Sequence, residues 1–301
     1  MQERIFLLVG EFSALLTAVL WSFSSIIFAA AIRRIGSIQV NVARLVFAGV
    51  FLLITILVMG YDVQLSSTQF LNLGISGLIG LVFGDTFLFK AFHESGARIS
   101  MLIMSLAPAI SAVLAYIILG EVLSAWGILG IAVTTAGIVV VVVAGHQSSS
   151  THTRISRRGI VYGFLAAIGQ GAGLIFARLA FNEGAINGFV ATFIRIVASI
   201  VVLVPLTMAT RRLKNPVRVF SQNNRALVLT VAGAIVGPYL GITFSLIAIT
   251  YTKVGIAATL MATVPIMMLP LVRIIHKERL SWHAIIGACV AVGGVAILFL
   301  R

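Results

Sequence analysis

"LAPAISAVLAYIILGEVLS", residues 106–124, and "TVPIMMLPLVRIIHKERLS", residues 263–281, are two versions of one pattern. Each sets a proline in an apolar run, then an acidic residue, then a serine three positions later: Pro108, Glu121 and Ser124 in the first, Pro265, Glu278 and Ser281 in the second. The offset is 157 residues throughout, and it holds well beyond the quoted stretches. Gly130 and Gly137 match Gly287 and Gly294; upstream, Gly80, Gly84, Thr86, Phe87 and Ala91 match Gly237, Gly241, Thr243, Phe244 and Ala248. An ungapped register of this length is the mark of an internal duplication. Further upstream, Arg44 aligns with Arg195 at an offset of 151, the difference falling where a loop in the second copy is longer.

What is duplicated is almost wholly apolar. Of 301 residues 60% are hydrophobic and 10% charged, with a mean hydropathy of +1.14, against about 25% charged residues in a soluble domain. A helix needs about 20 apolar residues to cross a bilayer, and ten such runs are present, near 5–32, 38–59, 69–93, 98–119, 124–144, 159–181, 187–209, 226–251, 254–275 and 281–300. Unbroken runs such as 137–144, GIVVVVVA, lack the alternation of barrel strands, so helices, which satisfy their own backbone, are expected. The first run, with Arg4 before it and Ala29, Ala30 and Ala31 at its end, is too long for a cleaved signal and belongs to the repeat. The expectation is an all-α integral membrane protein: a first five-span repeat at 5–144, a polar linker at 145–158, and a second repeat at 159–300.

Five is an odd number, so the second repeat is expected upside down relative to the first, the inverted-repeat logic of secondary transporters. The charges agree. The net charge of +13 would point to nucleic acid in a soluble chain, but here the cations sit in short loops and read as topology signals and contacts with anionic lipid. In the first half they follow spans one and three (Arg33, Arg34, Arg98); in the second, spans seven and nine (Arg211, Arg212, Lys214, Arg218, Arg225, Lys277, Arg279). With the linker arginines, this places the odd-numbered loops in the cytoplasm and both termini outside.

The two repeats, with Pro108 and Pro265, Glu121 and Glu278, and Arg44 and Arg195, resemble the EamA-type family of the drug/metabolite transporter superfamily over essentially the whole chain. The resemblance implies a ten-helix carrier with a central cavity, exporting amino acids, related metabolites or toxic compounds across a bacterial inner membrane. It also implies termini in the cytoplasm, opposite to the charge count, and orientation stays open between the two. A lipid flippase or a non-transporting membrane partner of the same fold is the alternative. Monomer and homodimer are both open, and no cofactor is implied. The chain has no P-loop, H-E-x-x-H or G-x-S-x-G motif, and its five histidines lack metal-ligand spacing, so ATP hydrolysis, intramembrane catalysis and a metal site are not expected. The single cysteine, Cys289, excludes an intrachain disulfide.

Ionisable groups within spans are costly and point to function. Asp85 and Lys90 lie in span three, about 140° apart around a helix, so each needs a partner elsewhere; Arg44, Arg178 and Arg195 are candidates for Asp85. In the second copy the two positions carry Ile242 and Ile247. The functional reading has Asp85 binding a substrate amine or a coupling proton, with Lys90 or an arginine on a carboxylate. The alternative is a structural ion pair, with Lys90 reaching the interface. Arg195, about 13 Å into its span, is the better candidate of the two duplicated arginines. Trp21, Ser24, Met101, Met104, Tyr239, Thr243 and Phe244 are candidates for lining an amphipathic cavity, or else packing residues. Pro108 and Pro265 are candidate bends, each removing a helical hydrogen bond near mid-span. Glu121 and Glu278 are expected to cap the helix that follows them, and the glycine rows of spans three, six and eight to allow close backbone approach.

Overall fold

The structure, a computed structural model, describes residues 2–148, 156–276 and 282–299, and every regular element in it is helical. Glu278, Ser281 and residues 149–155 of the linker lie outside the described residues. The first half runs α1 (Gln2–Ile35), α2 (Ser37–Met59), α3 (Ser67–Gly77), a π-helical turn at Leu78–Gly84, α4 (Asp85–Met104), α5 (Ala107–Leu114) with a second π-helical turn at Ala115–Leu119, and α6 (Ala125–Ser148). The second half has α7 (Arg157–Asn182), α8 (Gly188–Ala209), the short connector α9 (Pro216–Ser221), α10 (Asn224–Ala234), a π-helical turn at Ile235–Gly241, α11 (Ile242–Tyr251), α12 (Val254–Met261), α13 (Val264–His276) and α14 (Trp282–Phe299).

Among the described residues six helices are long and apolar enough to cross a membrane: Phe6–Ile35, Ser37–Met59, Ser67–Ala97, Arg157–Asn182, Gly188–Ala209 and Asn224–Tyr251. Shorter apolar helices, Ala107–Leu119, Ala125–Val140, Val254–Met268 and Ile285–Ile297, stand where the sequence expects spans four, five, nine and ten. The chain is thus an integral, multi-pass helical membrane protein.

Helix ends follow local chemistry. Ser66 and Gln69 form a reciprocal capping box at the start of α3, and Asn187, Asn215 and Asn223 accept from backbone N–H groups at the starts of α8, α9 and α10. Gly96, at φ 74, breaks α4 near the end of the Ser67–Ala97 span, a left-handed conformation that glycine adopts without steric cost.

The sequence offset reappears in the backbone. The π-helical turns Leu78–Gly84 and Ile235–Gly241 are 157 residues apart. So are two helix interruptions, one between α4 and α5 and one between α12 and α13. Pro238 lies in the second π-helical turn, where its missing N–H calls for a local adjustment. Leu81, its counterpart, lies in the same widened geometry without a proline, so the widening belongs to the repeat and not to that residue.

Close backbone approaches hold the two halves together. A Cβ on Gly137 would stand 2.4 Å from the Ala291 nitrogen, and one on Gly294 would stand 2.4 Å from the Thr134 nitrogen. Residues 134 and 137 are the counterparts of 291 and 294, so this α6–α14 contact is reciprocal, as at a two-fold axis. Likewise Gly80 and Gly84 lie against Gly173 and Gly169 of α7, while Gly237 and Gly241 lie against Ser24 and Trp21 of α1. Small residues do this because lipid is as apolar as leucine, and helices in a bilayer associate through close packing.

Candidate functional site

The six-residue difference in offset notwithstanding, Arg44 of α2 and Arg195 of α8 come to one cavity between the halves. It has a free volume of about 90 Å³, room for several waters. The lining is itself paired by the repeat: Leu81 with Pro238, Met104 with Met261, Ser105 with Ala262. The pair that breaks the charge symmetry is Asp85 with Ile242.

Arg44 is engaged through two of its nitrogens. Its Nη2 donates to Oδ2 of Asp85 at 2.5 Å and its Nε to Oδ1 of Asn41 at 3.0 Å. Asn41 in turn donates to Oγ1 of Thr86 at 3.1 Å. The guanidinium lies over the Phe89 ring, 4.6 Å from its centroid, and near that of Phe28. Arg44 is buried and Asp85 is largely so, with side-chain exposures of 6% and 13%. Removed from water, such charges are tolerated only with good geometry and further hydrogen bonds, which Asn41 supplies.

Arg195 is 3% exposed and is not so engaged. Its Nε is buried without a hydrogen-bond partner, and no described carboxylate lies within ion-pair distance of it. Its position is set by glycines. A Cβ on Gly77 would stand 2.3 Å from the Arg195 carbonyl oxygen, and one on Gly80 would stand 3.1 Å from Nη2. Oγ of Ser199 donates to the same carbonyl at 2.6 Å.

The sequence candidates divide. Asp85, Arg44, Arg195, Trp21, Ser24, Met101 and Met104 line the cavity. Tyr239, Thr243 and Phe244 are not among its lining residues, and the cavity takes Pro238, Ile242 and Ser245 from the same stretch. The Tyr239 hydroxyl shares a 2.8 Å hydrogen bond with Oγ1 of Thr55, and its ring packs on Phe51 and Phe189. Thr243 donates to the Tyr239 carbonyl at 2.6 Å and lies 3.2 Å from Oγ1 of Thr192. These two side chains therefore join α11 and its preceding turn to α2 and α8. Lys90 is also off the cavity: its ammonium lies 4.8 Å and 5.6 Å from the ring centroids of Phe87 and Tyr162, replacing the expected carboxylate with aromatic faces.

Three further expectations are corrected in detail. Arg178 is no partner of Asp85; its Nη1 donates to the carbonyls of Ile249 and Thr250, and its Nε lies 3.7 Å from Glu121. Glu121 does not cap the helix that follows it, where Ser124 accepts from the Gly127 N–H at 3.1 Å. Its Oε2 accepts instead from the Val254 N–H at 2.9 Å, capping α12 of the other half. Pro108 and Pro265 do not bend a continuous helix. The chain is interrupted before each, and each stands second in the new helix, α5 or α13, where the missing N–H costs nothing. Both interruptions border the cavity, at Met104 to Ala107 and at Met261 and Ala262.

Sequence reasoning missed Phe28, Phe89 and Phe92, which form apolar wall, and Gln170. A glutamine inside an apolar span is a legible signal, hidden here among the glycines of α7.

A two-repeat helical bundle that surrounds an amphipathic cavity with a buried ion pair defines a membrane transport protein as its class. The sequence model of the EamA-like transporter family matches residues 8–143 and 157–300, and the chain belongs to that family. No curated protein matches it in sequence. A solved structure described only as "Crystal structure of protein" superimposes with a TM-score of 0.75 at 17% identity, over 98% of this chain and 96% of that one, which establishes a shared fold.

Proposed function

We propose that this protein is a secondary carrier of ten membrane spans, two inverted five-helix repeats, that moves a small metabolite outward across a bacterial inner membrane by alternating access. The observation that carries the reading is the cavity itself. It lies between the repeats, is bordered by two helix interruptions in equivalent places, and holds the described ionisable side chains Arg44, Asp85 and Arg195. Discontinuous helices meeting at a midplane site are the recurring architecture of secondary transporters. Asp85 is the coupling group in this reading: protonating it releases Arg44, which changes what holds α2 to α4.

The test is counterflow with purified protein in proteoliposomes, using labelled small metabolites. Exchange, together with accumulation driven by an imposed proton gradient, is expected. In Asp85→Asn, gradient-driven accumulation falls to background while the protein still folds. Full accumulation in that variant removes Asp85 from coupling. Failure of exchange in well-folded protein, with lipid headgroups scrambled between leaflets, replaces the carrier with a flippase.

A further inference from the structure

We infer that the cavity receives the carboxylate of a small amphipathic organic acid on Arg195, at the place where the other repeat supplies an acid of its own. The inference rests on the carrier reading and names its substrate class. The duplication provides the internal comparison. Arg44 and Arg195 are counterparts, as are Asp85 and Ile242, and all four line the cavity. In the first copy the arginine meets Asp85 at 2.5 Å. In the second the acid is an isoleucine, and Arg195 keeps a buried Nε without a partner.

A buried guanidinium whose Nε has no partner, and which Asp85 reaches only through space, is expensive, and one carboxylate can satisfy it through paired N–H donors. The net side-chain charge of the lining has the same sign. Arg44 and Asp85 cancel, leaving Arg195 as the net charge of the described lining. The N-terminus of α5 opens on the cavity at Ala107, but the C-termini of α4 and α12 reach it too, at Met104 and Met261, so the helix dipoles offset one another and the side-chain charge decides. An amine placed there would face positive charge in a site of low dielectric. The rest of the ligand is apolar, since Trp21, Phe28, Phe89, Phe92 and Met101 form the walls, and the cavity of about 90 Å³ keeps it small.

The experiment uses full-length protein and sets of three molecules sharing one body: phenylacetate, phenylacetamide and benzylamine, and isovalerate, isovaleramide and isoamylamine. Counterflow in proteoliposomes is measured beside thermal stabilisation in detergent. The expected result is exchange and stabilisation by a carboxylate at least tenfold more effectively than by its amide or amine. Arg195→Gln loses that preference and Arg195→Lys keeps part of it, both variants being checked for folding by size-exclusion profile. Exchange of amides or amines as good as that of acids, or an unchanged preference in folded Arg195→Gln, overturns the inference and leaves the carrier reading standing. Carboxylate stabilisation that depends on Arg195 without any exchange supports the anion site and overturns the carrier. Neither exchange nor stabilisation removes both.

Discussion

Nη2 of Arg44 and Oδ2 of Asp85 lie 2.5 Å apart, one on α2 and the other at the first turn after a π-helical segment, with Asn41 holding the arginine from its other side. The pair joins two spans at the wall of the cavity, and its energetics are those of charges out of water. Removing one partner strands the other. Arg44→Leu is therefore expected to cost about 3–5 kcal/mol of stability, and Arg44→Leu with Asp85→Leu to recover most of that loss. Thermal unfolding of the purified variants measures it; simple additivity of the two single changes would show that the pair carries no coupling.

Gly77 and Gly74 lie one helical turn apart on α3 but face different constraints. A Cβ on Gly77 would meet the Arg195 carbonyl oxygen at 2.3 Å, whereas one on Gly74 would meet Cβ of Ala198 at 3.9 Å, an ordinary contact. Gly77→Ala is expected to cost about 1–3 kcal/mol through overpacking and to lower exchange by displacing Arg195. Gly74→Ala is expected to leave both unchanged. Equal effects from the two would mean that the helices separate freely here.

Glu121 ties the halves together at one end of the bundle by accepting the Val254 N–H at 2.9 Å, with Arg178 beside it. Glu121→Ala removes a helix cap and is expected to cost about 1 kcal/mol. Glu121→Gln keeps an acceptor and is expected to cost less. Thermal midpoints of the two variants give the comparison, and a larger loss in the glutamine variant would assign the contribution to the Arg178 charge contact.

Orientation is read by labelling. In a Cys289→Ser background, a cysteine replacing Ser149 in the linker is expected to resist an impermeant maleimide in intact cells, because linker arginines belong inside. Ready labelling places the linker outside and the termini in the cytoplasm.

Much of the fold was legible in the chain because each signal was local or repeated. Apolar run length marks spans regardless of what they touch, and the offset of 157 residues already pairs Pro108 with Pro265 and Gly137 with Gly294. Facing was not legible. In a span that is apolar on every side, periodicity does not separate lipid from neighbour. The sequence therefore offered Tyr239, Thr243 and Phe244 for a cavity that takes Pro238, Ile242 and Ser245. The π-helical turn preceding Ile242 adds to this, because widening a turn rotates the residues beyond it relative to an ideal helix.

By itself, then, the amino-acid order determined a duplicated membrane bundle and the substitution of Ile242 for an acid in the second copy. Only the tertiary structure decided that Asp85 goes to Arg44, that Lys90 rests on aromatic rings, and that Arg195 borders the same cavity with its Nε unpartnered. The reason is distance along the chain. Residues 41 positions apart, or 151, meet only when helices pack, and the glycines that let those helices approach act on backbones and leave no mark on charge or periodicity.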